Sequence, residues 1–184
     1  MNLFIIGSST GGPRILFDIF TGIPVLPVAI VIVQHMPEST TSRFARRLSQ
    51  LTSMEVIIPK SGEMLKHGSL YIAPGDNHLT LKNNDILLLN SSEKVNFVRP
   101  SIDVTMLSLS PDTRHSYTGI ILSGMGSDGA YGLAHMKKIG ATTIIQDPDT
   151  CTIRSMPEAA LRATEVDKIL TPAEIHSLLL SKKQ

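Results

Sequence analysis

Residues 3–6 (LFII) are all apolar and stop at Gly7. Ser8-Ser9-Thr10-Gly11-Gly12-Pro13 breaks the run, and apolar positions resume at helical spacing with Ile15, Leu16, Ile19 and Phe20. An uninterrupted apolar run predicts a strand buried on both faces. The spaced set predicts a helix that ends near Gly22, with Pro13 suited to its first turn. The pattern then repeats. Residues 29–33 (AIVIV) predict a second buried strand, "QHMPEST" closes it, and Phe44, Leu48 and Leu51 mark a second helix. Strand, helix, strand, helix implies a parallel sheet with right-handed crossovers.

The middle of the chain changes character. Residues 54–58 read as a strand, and "LYIAPGDNHLTLKNNDILLLN" alternates more and carries the turn signal Asn83-Asn84-Asp85. That whole stretch predicts an antiparallel hairpin. Ser101 is placed to cap a helix bearing Ile102, Met106 and Leu109. The first rhythm then returns: a strand over 117–123, a glycine-rich loop "GMGSDGA", a helix over 131–139, a strand in "ATTIIQD" and a helix over 156–162. Thr171-Pro172-Ala173-Glu174 predicts a last helix, opened by a capping box with proline at its first position. The expected fold is α/β, a doubly wound, mostly parallel, Rossmann-like sheet with an inserted antiparallel hairpin. Nothing reads as a linker, so one domain is expected over residues 1–184.

Composition narrows the classes of function. Apolar residues make up 42% and charged residues 18% of the 184, which suits a globular chain with a sizeable core. Seventeen Lys and Arg against sixteen Asp and Glu leave +1, no general field for nucleic acid or an anionic membrane. Arg43, Arg46 and Arg47 could share one helix surface, which the plainer reading treats as a solvated face. The single cysteine, Cys151, excludes an internal disulfide and suits a reducing, cytoplasmic setting. Residues 23–33 are too short an apolar stretch to cross a bilayer and contain Pro24 and Pro27, and no signal peptide is evident.

In open parallel sheets, sites form beyond the carboxyl ends of the strands. Three such ends carry reactive side chains: Ser8-Ser9-Thr10, Gln34-His35, and the loop that reaches Asp128. Serine, histidine and aspartate brought to one edge are what nucleophilic acyl transfer needs. The imidazole takes the serine proton, and the carboxylate orients the ring and stabilises its charge. Gly11 and Gly12 ease a sharp strand-to-helix turn, and the helix start offers free N–H groups to an oxyanion.

The nucleotide-binding templates fail on the same letters. A dinucleotide fingerprint counted from Gly7 puts Ser9 where its second glycine belongs, and Gln34-His35 replaces the expected acid. A P-loop would place Lys after Gly12, where Pro13-Arg14 stands. Rivals remain within the hydrolase reading: Ser8 for Ser9, His78 for His35, and Asp147 for Asp128. Asp76 and Asp103 read as caps of turns or helices. No histidines have zinc-ligand spacing, so no metal is expected, and hydrolysis through an acyl-serine needs no cofactor.

With these loops in place, the sequence resembles the catalytic domain of the CheB family, the chemotaxis receptor methylesterases. The resemblance runs through "IIGSSTGGP", "VQHMPESTTSRFARRL", "LYIAPGDNHL", "RPSIDV", "ILSGMGSDGAYGL", "IIQDPDTC", "MPEAAL" and "VDKIL". It implies a protein-glutamate methylesterase that also deamidates receptor glutamines. Ser9 would be the nucleophile, His35 the base, Asp128 the acid, and the N–H groups of Thr10 and Met125 the oxyanion donors. It implies a methyl-accepting chemotaxis receptor as partner, and neither nucleic acid nor membrane insertion. The family's N-terminal receiver domain is not recognised in these residues, which would leave phosphorylation-gated regulation to a separate receiver protein. An aromatic common after the family's Met-Pro is absent from "ESTTSRF", and Thr-Ile-Arg-Ser precedes Met156-Pro157. The alternatives are a non-catalytic receptor-docking module of the same fold and, behind it, a nucleotide-binding module.

Overall fold

The computed structural model describes residues 1–183. Seven strands form one parallel sheet in the order β10-β9-β8-β1-β2-β5-β3. β1 (Asn2–Ser8) and β2 (Val28–Gln34) lie at its centre, flanked by β8 (Ser116–Ile121) and β5 (Ser69–Ile72). β3 (Glu55–Ile57), β9 (Thr142–Gln146) and β10 (Lys168–Leu170) complete it. Helices cover both faces, as a doubly wound fold requires.

The two faces are written in the period-2 alternation of the central strands. Phe4, Ile6, Ile30 and Ile32 point to one side, where they meet α1 (Gly12–Phe20), α2 (Glu38–Ser49) and α6 (Pro172–Leu180) through Leu16, Phe44 and Ile175. Leu3, Ile5, Val31 and Val33 point to the other. There they meet α3 (Ile102–Leu107), α4 (Ala130–Lys138) and α5 (Ser155–Ala163) through Ile102, Met106, Leu133 and Met156. Most of these side chains are fully buried, each contributing about 1.5–3 kcal/mol. The capping box of α6 forms as expected: Thr171 Oγ1 accepts from the Glu174 N–H, and Glu174 Oε2 accepts from the Thr171 N–H.

The expected hairpin is smaller than the stretch that suggested it. β6 (His78–Lys82) and β7 (Ile86–Asn90) pair antiparallel across Asn83 and Asn84, both with positive φ. β4 (Glu63–Met64) joins β7 to make a small three-stranded sheet. Residues 69–72 instead belong to the parallel sheet and pair with β2. All four are buried, and the Gly75-Asp76 turn separates them from the hairpin.

Candidate active site

The register of β1 on β2 pairs Ser8 with Gln34, so the next residues, Ser9 and His35, leave the sheet side by side. The His35 N–H donates to Ser8 O at 3.0 Å and continues the ladder past the last paired residues. Gln34 fixes the same corner with its side chain. Its amide donates to Ser9 O (3.1 Å) and His35 O (2.9 Å), and its Oε1 accepts from Ser8 Oγ at 2.6 Å. Both Ser8 and Gln34 are buried. Ser8 is therefore committed to packing. Ser9 is half-buried, and its hydroxyl has no hydrogen-bond partner among the described residues.

Two glycines make this corner. Gly11 has φ +81°, and a Cβ there would lie 2.5 Å from Thr152; a Cβ on Gly12 would lie 2.4 Å from Gln34 Oε1 and 2.7 Å from Ser8 Cβ. The chain can thus turn from β1 into α1 hard against Gln34. On the other flank the Ser9 N–H donates to Ser123 O (3.0 Å), and Ser123 Oγ donates to Thr10 O (2.8 Å). Ser123 is itself held by Gln146, whose Oε1 accepts the Ser123 N–H at 2.9 Å. The N–H groups of Thr10 and Met125 donate to no protein acceptor among the described residues.

Asp128 reaches back from the loop after β8 and is almost fully buried. Its Oδ2 lies 2.7 Å from His35 Nε2 and accepts the Ile102 N–H at 2.7 Å. Its Oδ1 accepts from Ser101 Oγ (2.7 Å) and the Asp103 N–H (3.1 Å). Burial alone would raise this carboxyl. The His35 hydrogen bond, with those from Ile102, Ser101 and Asp103, outweighs burial and holds Asp128 below the usual carboxylate range. With Nε2 facing the carboxylate, Nδ1 is the ring nitrogen of His35 left without a protein partner.

The rivals are accounted for. His78 is fully buried on β6, with Nδ1 accepting the Ser101 N–H (3.1 Å) and Nε2 bonded to Glu93 O (2.9 Å). It stands two hydrogen bonds from Asp128, through Ser101, and holds the acid's cradle. Asp147 caps a single 3-10 turn over Pro148–Thr150 by accepting the Asp149 N–H, and makes no bond to His35. Asp103 does cap a helix, though not its own: Oδ1 accepts the Gly132 N–H in the first turn of α4 (2.7 Å). Burial, with the neighbouring Asp128 charge, raises its carboxyl despite that bond. Cys151 is half-buried and its thiol is pushed up to about 11, first by burial and then by Asp147. It is a poor nucleophile near neutral pH.

Gln34, Ser101, Ser123 and Gln146 position the site; Ser101 caps α3 as the sequence suggests, accepting the Val104 N–H at 3.3 Å, whereas the positioning roles of the other three are not foreseen. One signal was available. A glutamine that ends a buried run of apolar residues, as after AIVIV in β2 and after Ile144-Ile145 in β9, must find partners for its amide. Among the described residues no group of three or more His, Cys, Asp or Glu side chains could hold a metal ion, and no helix is long and apolar enough to cross a membrane.

Residues 4–179 match the CheB methylesterase family. The chain belongs to that family. A protein-glutamate methylesterase/protein-glutamine glutaminase of Photorhabdus laumondii is 38% identical over 183 residues, covering 98% of this chain and 52% of the relative. Its namesake in Thermotoga maritima is 38% identical over 182 residues, covering 97% and 53%. The chain thus spans about half the length of the curated relatives it matches. The crystal structure of the Thermotoga maritima CheB methylesterase catalytic domain superposes with a TM-score of 0.90 at 37% identity, covering 97% of both chains. The doubly wound CheB fold and its small antiparallel sheet are therefore those expected from the sequence.

Proposed function

We propose that this CheB-family chain hydrolyses γ-methyl esters of glutamyl residues on the cytoplasmic part of a chemotaxis receptor, and deamidates glutamines by the same route. The observation that carries this reading is the half-buried His35 paired with the buried Asp128 at 2.7 Å, set by strand register beside a serine whose hydroxyl is free. The names of its relatives, protein-glutamate methylesterase/protein-glutamine glutaminase, support the substrate class.

Asp128 keeps the imidazole proton on Nε2, so Nδ1 accepts the proton of Ser9 as Oγ attacks the ester carbonyl. Negative charge develops on the carbonyl oxygen. The unpaired N–H groups of Thr10 and Met125 are the donors for it. Collapse breaks the carbonyl–O(methyl) bond, and His35 returns its proton to the leaving methoxide, which departs as methanol. Water then attacks the acyl-serine with His35 again as base, releasing the glutamate carboxylate and restoring Ser9. For a glutamine the leaving group is ammonia.

The test is methanol release from the methylated cytoplasmic fragment of a receptor. Ser9→Ala and His35→Ala should each lower turnover about 10³-fold or more with the fold intact, and the double variant should be little worse than either single one. Turnover by Ser9→Ala within tenfold of the parent would remove Ser9 as nucleophile.

A further inference from the structure

Beside the catalytic pair, α1 and α2 enclose a groove of about 530 Å³ that His35 and Met36 also line. Its apolar part includes Phe17 and Phe44, stacked with ring centroids 5.5 Å apart. Its cationic part is Arg43 and Arg47, one turn apart on α2. Both are exposed, and neither forms an ion pair among the described residues; Arg47 meets only the Gln50 amide, at 3.3 Å. Three other cations do find carboxylates, Arg114 with Asp85 and Asp112, Lys137 with Asp167, and Arg154 with Asp149 and Glu158; what marks out Arg43 and Arg47 is their place on the groove. In a chain whose formal charge is nearly balanced, two unpaired guanidinium groups thus stand on an apolar groove that opens onto the base. Arginine in such a setting takes carboxylates in paired hydrogen bonds and packs on aromatic faces.

We propose that this groove docks an acidic segment of the substrate protein flanking the residue to be hydrolysed. One or two carboxylates pair with Arg43 and Arg47 while an apolar neighbour packs over the stacked rings of Phe17 and Phe44. The proposal rests on the esterase reading for where the reacting residue goes. The groove fixes what must stand next to it. Recognition then lies in the flanking sequence and the chemistry in the triad, so the two separate under mutation. Charge complementarity also makes docking dependent on ionic strength.

The test uses two peptides, each with one glutamyl methyl ester, one with glutamates and one with serines in the flanking positions. Affinity is measured by fluorescence anisotropy in a Ser9→Ala background, where the ester survives. Turnover of the peptides and of 4-nitrophenyl acetate is measured with the active chain. The acidic peptide should bind at least tenfold more tightly than the neutral one at low salt. Arg43→Glu with Arg47→Glu should abolish that preference and its salt dependence, while 4-nitrophenyl acetate turnover stays within twofold of the parent. An unchanged preference in the double variant overturns the proposal. So does an equal loss for both peptides and the small ester, or a change confined to sedimentation, which would make the groove a contact between copies. If the active chain turns over neither the peptides nor the small ester, the esterase reading fails; the binding comparison still decides the groove.

Discussion

Replacing Asp128 with asparagine tests the site where structure and chemistry are most tightly joined. The carboxylate serves four donors with two oxygens: Ser101 Oγ and the Asp103 N–H on one, the Ile102 N–H and His35 Nε2 on the other. Asparagine brings one acceptor and two new donors. If its oxygen takes the Oδ1 place, the amide nitrogen confronts the Ile102 N–H, and His35 must turn an unprotonated Nε2 toward it. The ring proton then sits on Nδ1, which can no longer receive the serine proton. If its oxygen takes the Oδ2 place, the tautomer survives, but the Asp103 N–H is orphaned and no negative charge steadies the imidazolium. Either arrangement leaves one buried N–H unsatisfied, a cost of about 1–3 kcal/mol. For a chain of this size each kcal/mol moves the melting temperature by about 2–4 °C. Turnover should fall by up to about 10⁴-fold, the cost of a wrong tautomer in such a triad. Ester turnover and a thermal melt on one preparation read both effects, with Asp147→Asn, expected within twofold of the parent, as control. An Asp128→Asn protein that keeps a tenth or more of parental turnover would refute the assignment. If its melt also dropped, Asp128 would be only the pin of α3.

Ser8→Ala should remain active and melt lower, because it strips the donor from buried Gln34 Oε1 at a cost of about 1–3 kcal/mol; loss of activity matching Ser9→Ala would mean the wrong serine was chosen. His78→Ala should destabilise by a similar amount, leaving the Ser101 N–H without its acceptor, yet retain far more turnover than His35→Ala. A folded His78→Ala protein as inactive as His35→Ala would reverse the choice of base. Two carboxylates give opposite pH signatures. Asp167 is held down to about 2, first by Lys137 and then by the Thr143 N–H, so its stabilisation is present above the ordinary carboxylate range and is lost as pH falls toward 2. Asp103 is raised by burial, so its contribution is present at low pH and is lost as pH rises through its folded value. Denaturant melts should therefore show Asp167→Asn losing ground to the parent, and Asp103→Asn gaining on it, as pH rises from about 2 to 7. The same sign for both would contradict the linkage.

Much of the fold was legible because its central strands are buried on both faces. Residues 3–6 and 29–33 have no polar position that could face water, and only the middle of a helix-covered parallel sheet accommodates that. β4 and β10 escaped notice because they span two and three residues and carry little apolar pattern. The hairpin was drawn too wide because its alternation was counted from Leu70, whereas residues 69–72 are buried throughout. At the site, the three strand ends implied the reacting trio. Alternation showed that Ser8 and Ser9 face opposite ways without saying which faces His35. That depended on the Gln34 side chain, 26 residues away from Ser8, and pairings at such separation leave no local pattern.

The three groups of the proposed triad are anchored unequally. Ser9 and His35 continue the β1–β2 ladder in the middle of the sheet, so they part only if the core itself comes apart. Asp128 arrives on a loop, and its carboxylate is moored by Ser101 and the amides that open α3, a helix of six residues. The site thus spans two levels of local stability. In native-state hydrogen exchange, the amides of residues 4–7 and 29–33 should open only with global unfolding. Those of Ile102 and Asp103, whose acceptor is the Asp128 carboxylate, should open in a smaller step. Each such opening casts off the Asp128 carboxylate while Ser9 and His35 stay together, so brief excursions of one short helix leave a folded protein without the third member of the proposed triad.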